Sequence, residues 1–303
     1  IVSKYKNKNK YDCIVPFSGG KDSTWTLYYI VKHLNLNPLV VRFDHGFLRP
    51  NLENNTKKTI EKLKVDFLNH TPAWELSRKL MLQSFLEKGD FCWHCHTGIY
   101  TYPIRVALEK KIPLIIWGEG SGEYEDYYDI DDLKSINERY INRVVNLGIN
   151  AEDMFLRFSG DIKKRDLLPY TYPSKEEFNN FDIKSICLGD YIQWDIKHHV
   201  KVLKEQIGWK GDVVENVPPE YDYEKIECYM QGVRDYIKFI KRGYSRTTHL
   251  VSLDLRNEKI KKEKAKELIK LYEGKKPATL NIFLDYVGLD EHQFNEIVAS
   301  HIV

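Results

Sequence analysis

Ser18-Gly19-Gly20-Lys21-Asp22-Ser23 stands between the apolar run Asp12 to Phe17 and the amphipathic stretch Asp22 to Leu34. A glycine-rich turn in that position carries its backbone amides from a strand end to a helix N-terminus, where N–H groups and the helix dipole both favour an anion. The glycines let the main chain approach phosphate oxygens closely, and the two serine hydroxyls and the Lys21 ammonium add donors. A Walker A loop needs a longer Gly-to-Gly-Lys spacing and is absent. The competing reading is a tight strand-to-helix turn capped by Asp22 or Ser23.

Working outward, short apolar runs alternate with longer amphipathic ones, the βαβ rhythm of a parallel sheet flanked by helices. Strands are predicted at Asp12 to Phe17, Pro38 to Phe43, Val65 to Asn69, Ile112 to Trp117 and Ile183 to Leu188. Helices are predicted at Asp22 to Leu34, Asn51 to Leu63, Trp74 to Leu86 and in a stretch ending at Lys110. The fold class that follows is α/β, a doubly wound, mostly parallel five-stranded sheet over residues 1–207 with a C-terminal helical region over 208–303. The turn cluster Gly208 to Pro219 marks the boundary, and the apolar spacing predicts helices at Trp194 to Gln206, Tyr223 to Arg242, Lys259 to Tyr272 and Glu291 to Ile302.

The 303 residues are 42% hydrophobic and 30% charged, enough to bury a sizeable core. Lys and Arg number 46 against 44 Asp and Glu, so a net charge of +2 gives no global pull toward nucleic acid or an anionic membrane. No run resembles a signal peptide or a membrane span, which predicts a cytoplasmic protein. The sequence opens Ile1-Val2-Ser3-Lys4 without an initiator methionine, which reads as a chain with residues upstream. Cys13, Cys92, Cys95, Cys187 and Cys228 are too sparse for a disulfide framework and point to reduced thiols or a metal site.

The hexapeptide at 18–23 resembles the SGGxDS signature of the PP-loop ATP pyrophosphatases, a group that includes GMP, NAD and asparagine synthetases and tRNA-modifying enzymes. The resemblance implies ATP lying over the carboxyl ends of the strands at the switch point. Ser18, Gly19, Gly20, Lys21 and Ser23 would hold the pyrophosphate portion, with Asp22 on magnesium and Lys21 and Asp22 catalytic. Phe43-Asp44-His45-Gly46 follows the second strand, where the group places its adenosine segment, so Asp44 is a nucleotide-side candidate or else a strand-end cap. Gly118-Glu119-Gly120-Ser121-Gly122-Glu123 follows the fourth strand on the same sheet edge. Gly118 there would border the nucleotide, and Glu119 would serve as a second magnesium ligand and catalytic carboxylate. The loop would act as a lid or simply be solvated.

Further runs narrow the resemblance: Tyr11 to Pro16, Cys92-Trp93-His94-Cys95-His96, Ile116 to Glu119, Leu188 to Asp195 and Arg242 to Thr248. In that order they resemble the bacterial N-acetyl sugar amidotransferases, which make acetamidino sugars for O-antigen lipopolysaccharide or for flagellar and other surface glycans. That family starts with a cysteine-rich zinc segment, which this sequence lacks. The chemistry implied is attack of an acetamido oxygen on the α-phosphorus of ATP, release of pyrophosphate, and displacement of AMP by ammonia. The acidic run Glu123 to Asp129 would favour the cationic amidine product, or is a solvated loop. Arg246, His249 and Arg256 would grip the diphosphate of a nucleotide-linked sugar, or are solvated.

No cysteine stands in a recognisable nucleophile context, so a separate glutaminase subunit is expected to supply ammonia. Cys92 and Cys95 have the spacing to share a metal, zinc or an iron–sulfur cluster, with His94 and His96 as further ligands, or they are packed reduced thiols. The alternative function is a tRNA-thiolating enzyme of the same superfamily, which the cysteine pair favours and the near-neutral charge disfavours. A nucleotide-binding regulatory subunit without turnover is the third reading.

Overall fold

The computed structural model describes residues 1–118, 138–158 and 160–302. Two compact units emerge from the described chain. The first comprises Ile1–Gly46, Leu52–Ser77 and Trp93–Lys210, and the second Phe47–Asn51, Arg78–Cys92 and Gly211–Val303.

The first unit is built on five parallel strands, β1 (Cys13–Pro16), β2 (Pro38–Phe43), β3 (Asp66–His70), β4 (Leu114–Trp117) and β5 (Lys184–Cys187). Their order is β3-β2-β1-β4-β5. The chain winds outward from β1 to β3, then returns to add β4 on β1's other edge, so the fold is a doubly wound α/β sheet as the sequence predicts. Val15 pairs with Val40, Ile14 with Ile115 and Ile116 with Ile186. The three inner strands β2, β1 and β4 are short, mostly apolar runs buried on both faces, as a covered parallel sheet requires, while the edge strands β3 and β5 are partly exposed. β4 starts two residues later than predicted, after Pro113, which has no N–H to give and whose carbonyl accepts from Lys184 N–H at 2.8 Å.

Helices α1 (Lys21–Lys32), α2 (Pro50–Leu63), α3 (Trp74–Lys88) and α4 (Trp93–Lys110) follow, then α5 (Ala151–Leu156) and α6 (Ile196–Gln206). α4 covers the sheet face presented by Ile14, Leu39, Val41 and Ile115, placing Ile104, Val106 and Ala107 against it. Gly98 of α4 has a steric reason. A Cβ there would lie 2.4 Å from the Phe43 ring, so the helix gives up side-chain volume to let the last residue of β2 pack. α1 packs on α6, which begins where the Asp195 carboxylate accepts from His198 N–H at 3.1 Å.

The second unit contains α7 (Gln231–Arg242), α8 (Arg246–Arg256), α9 (Lys262–Tyr272), α10 (Thr279–Val287) and α11 (Glu291–Ala299). Its core joins Met81, Phe85 and Phe91 to Val233, Ile237, Phe283, Leu284, Phe294 and Val298. α7 begins eight residues later than predicted, because the segment before it is spent otherwise. Cys228 bridges Leu48 and Tyr229 N–H donates to the Phe47 carbonyl at 2.9 Å. Gly243 at φ 76° and Gly288 at φ 76° end α7 and α10 in the left-handed region. Among the described residues no helix is long and apolar enough to cross a membrane.

Gly98→Ala should destabilise the first unit by about 1–3 kcal/mol, the usual range for overpacking. Urea unfolding measures it, and adding Phe43→Leu should recover part of the loss. An unchanged midpoint in the single variant would show that the Phe43 ring has room to move.

Candidate functional site

The loop at 18–23 leaves the carboxyl end of β1 beside the carboxyl end of β4, the point at which the two windings of the sheet diverge. Its backbone is turned inward. Ser18 N–H and Gly19 N–H each donate to Ser23 Oγ at 3.1 Å, and Gly20 N–H donates to Ser18 Oγ at 3.3 Å. The two hydroxyl oxygens lie 3.1 Å apart. Three successive amides thus converge on two small oxygens, a nest whose acceptors an anion can replace. The helix N-cap is Gly20, and no side chain caps it. Of the two residues in the capped-turn reading, Ser23 closes the turn through its hydroxyl, although it is not the N-cap residue.

Gly19 has φ +88°, and a Cβ on it would lie 2.7 Å from Thr56 Oγ1, so both conformation and space demand glycine. Thr56 belongs to a buried network. Arg42 Nη1 reaches Thr56 Oγ1 at 3.4 Å and Glu53 Oε1 at 2.8 Å, while Arg42 Nε donates to Asn69 Oδ1 at 2.7 Å.

Lys21 and Asp22 open α1 with side chains only 7% and 13% exposed, and Lys21 Nζ donates to Asp22 Oδ2 at 2.7 Å. Gly118 stands opposite. A Cβ there would meet Thr26 Oγ1 at 3.0 Å and the Asp22 carbonyl at 3.4 Å, so the end of β4 lies directly on the first turn of α1. The Gly118 carbonyl accepts from Gly189 N–H at 3.0 Å, drawing in the residues after β5. Ser18, Gly19, Gly20, Lys21, Asp22, Ser23 and Gly118 are therefore in one place. Glu119 and the acidic run Glu123 to Asp129 lie outside the described residues.

Asp44 sits at the carboxyl end of β2 with its carboxylate engaged, accepting from Gly46 N–H at 2.8 Å and from Thr71 Oγ1 at 3.1 Å. Beside it His45 is buried, and desolvation lowers its pKa to about 4. Cys92 N–H donates to Asp90 Oδ1 at 2.7 Å, and the Cys92 side chain belongs to the apolar core of the second unit. Among the described residues no three His, Cys, Asp or Glu side chains are grouped to hold one metal ion. The pair supplies two of the four ligands that a closed zinc site takes.

In the second unit, Arg246 opens α8 with Nη2 3.7 Å from Asp235 Oδ1. His249 follows, its pKa lowered by burial and then by the charges of Arg246 and Lys238. Arg256 is exposed ten residues along the same helix, roughly 15 Å away at 1.5 Å per residue. The structure groups Lys238 rather than Arg256 with Arg246 and His249.

Two features had no sequence signal strong enough to select them. Trp25 and His199 stack at 4.1 Å and 10°, with Trp194 edge-on to His199 at 4.8 Å. Trp25 and His199 line a surface cleft of ≈ 500 Å³ with Tyr28, Tyr29, His33 and His198. Burial lowers the His199 pKa to about 4, against which the nearby Asp22 charge pulls it upward. The other feature is Trp209, whose indole Nε1 donates to the Gly19 carbonyl at 3.1 Å. Trp209 stands out in sequence only as a tryptophan in a Gly-Trp-Lys-Gly turn.

Sheet order and loop together define a doubly wound α/β protein with a glycine-rich anion nest at its switch point. Residues 219–302 match the family model for the C-terminal domain of WbpG-like LPS biosynthesis proteins. Over 63 residues the chain is 35% identical to the uncharacterized protein MJ1599 of Methanocaldococcus jannaschii, covering 21% of this chain and 23% of that protein. The family match falls within the second unit.

His199 binds its proton near pH 6.5 when unfolded and only near pH 4 when folded. The unfolded state therefore holds more protons between those values, and stability falls as pH drops through that window. His199→Phe keeps the stack on Trp25 and should flatten the fall, read as unfolding midpoint against pH. A slope equal to that of the parent chain would assign the acid sensitivity to other groups.

Proposed function

We propose that this chain is an ATP pyrophosphatase of the PP-loop type, acting as an amidotransferase on a nucleotide-linked N-acetyl sugar in surface-glycan synthesis. The observation that carries the reading is the convergence of three loop amides on two serine hydroxyls at the sheet's switch point, with Lys21 and Asp22 paired at the start of the helix that follows. The likeness of residues 219–302 to an LPS biosynthesis domain supports the glycan assignment. The reaction takes place in the cytoplasm, where ATP and nucleotide sugars are made.

In this reading the nest and Lys21 bind the β and γ phosphates as the departing unit, so negative charge developing on pyrophosphate meets fixed donors. Asp22, a half-buried carboxylate at the mouth of the loop, suits one ligand of a hydrated magnesium ion, which withdraws charge from phosphate oxygens when bound. The acetamido oxygen attacks the α-phosphorus, the bond to pyrophosphate breaks, and an O-adenylated imidate forms. Ammonia adds to the imidate carbon, a proton is lost, and AMP leaves as the C–O bond breaks, giving the acetamidine. A separate glutaminase subunit supplies the ammonia. Within the second unit, Lys238, Arg246 and His249 form a cationic cluster that suits phosphate oxygens. The tRNA-thiolation alternative leans on the spacing of Cys92 and Cys95, and the near-neutral net charge of +2 stands against it.

ATP with ammonium and a panel of nucleotide-linked N-acetyl sugars should give AMP and pyrophosphate, with an acceptor mass change of amide to amidine. ADP as the main product would overturn the reading. Lys21→Ala and Asp22→Asn should each lower turnover by roughly a hundredfold or more. Undiminished turnover in both would remove the loop from the chemistry.

Ammonium alone should sustain activity, and glutamine should not until a glutaminase is added. Steady-state amidine formation on glutamine by the purified chain would contradict the two-subunit arrangement.

A further inference from the structure

We infer that Trp209 is a positioning residue for the anion nest, an inference that rests on the phosphate-binding reading of the loop. Its indole sits in the first unit, 1% exposed, and donates to the Gly19 carbonyl at 3.1 Å. The peptide joining Gly19 to Gly20 is trans, so its C=O and N–H point to opposite sides. Holding the carbonyl toward the indole aims the Gly20 N–H the other way, onto Ser18 Oγ and into the nest. Without a fixed partner, a peptide flanked by two glycines turns at little cost, because neither residue restricts φ to negative values. A turned peptide would present a carbonyl oxygen to the phosphate instead of an N–H. One hydrogen bond on the far side of the loop thus decides the polarity of its inner surface.

The indole is itself held firmly. After α6 ends, Gly208 takes φ +75° and Trp209 N–H donates back to the Leu203 carbonyl at 3.2 Å. The next residue is locked by a reciprocal pair. Asn55 Nδ2 donates to the Lys210 carbonyl at 2.7 Å, and Lys210 N–H donates to Asn55 Oδ1 at 2.9 Å. Lys58 and Lys62 reach the carbonyls of Gly208 and Gln206 at 3.4 and 3.1 Å. These contacts tie the turn to α2, the helix whose Leu52 and Thr56 fill the space beside Gly19. Gly19 is therefore enclosed from two directions by groups fixed to each other.

The test compares Trp209→Phe with Trp93→Phe. Trp93 is equally buried, and its indole donates to the Ile149 carbonyl at 2.7 Å, so it loses the same kind of bond away from the loop. Binding of inorganic pyrophosphate with magnesium is measured by calorimetry, alongside thermal stability. Trp209→Phe should weaken pyrophosphate at least tenfold, while Trp93→Phe, comparably destabilised, stays within twofold of the parent chain. Replacing Trp209 by β-(3-benzothienyl)alanine, which keeps the shape and removes the N–H, should reproduce the loss even if the Phe variant folds poorly. Equal pyrophosphate affinity in the parent and both position-209 variants would overturn the assignment and leave the phosphate reading intact. A parent chain that binds no pyrophosphate would overturn the phosphate reading instead, and the positioning role with it.

Discussion

A parallel sheet that winds outward in both directions from one central strand has to part its connections above that strand, because the chain leaves β1 toward one edge and later returns to the other. In this protein the parting falls between the carboxyl ends of β1 and β4. Everything at the candidate site follows from filling that gap with backbone rather than side chains. The loop enters through Gly19, pressed against Leu52 and Thr56 of α2, and β4 leaves through Gly118, pressed against Asp22 and Thr26 of α1. A side chain at Gly19 would collide with Thr56, and one at Gly118 would crowd Thr26.

The same constraint explains why charge is buried here. Lys21 and Asp22 lie where the sheet edge, α1 and the strand ends meet, so each excludes solvent from the other, and their mutual bond offsets part of the desolvation. Serine hydroxyls serve as interim acceptors for the nest amides, leaving the polar backbone satisfied without a ligand. The site is organised in advance of any substrate, and the reorganisation that solvent would demand is already done.

Much of this was legible locally. The strands and helices up to Lys110 are legible in the sequence, because short apolar runs and period-3.6 patterns are set by neighbours along the chain. Asp22 and Lys21 were visible through the spacing of the hexapeptide. Trp209 was not, since its partner is a backbone carbonyl 190 residues away and a carbonyl carries no residue identity. His199 was hidden for a related reason: its stacking partner Trp25 belongs to another helix, and a histidine in an amphipathic pattern looks like any polar residue. In the second unit, α8 buries Thr247, Leu250, Val251 and Asp254 and α10 buries Leu280, Phe283, Leu284 and Val287, stripes at helical spacing that the sequence reading passed over. The place of Met81, Phe85 and Phe91 in that unit's core depends on partners some two hundred residues later, which no local pattern announces.

Sheet order also dictates when the site can exist during synthesis. β1 meets β2 across about twenty-five residues of chain, but it meets β4 across about a hundred. Two doublings of loop length add about 1.2 kcal/mol of closure entropy, a modest cost that still orders the events. The β1-α1-β2-α2-β3 half can collapse as soon as it leaves the ribosome, while its outer edge at β1 waits, unpaired and apolar, for β4. Until β4 arrives, Ile14 and Val15 are an open strand edge of the sort that recruits other chains. A nascent chain of this protein is therefore most prone to aggregation in the interval between completing β3 and completing β4, and the loop at 18–23 is among the last places to acquire its final neighbours.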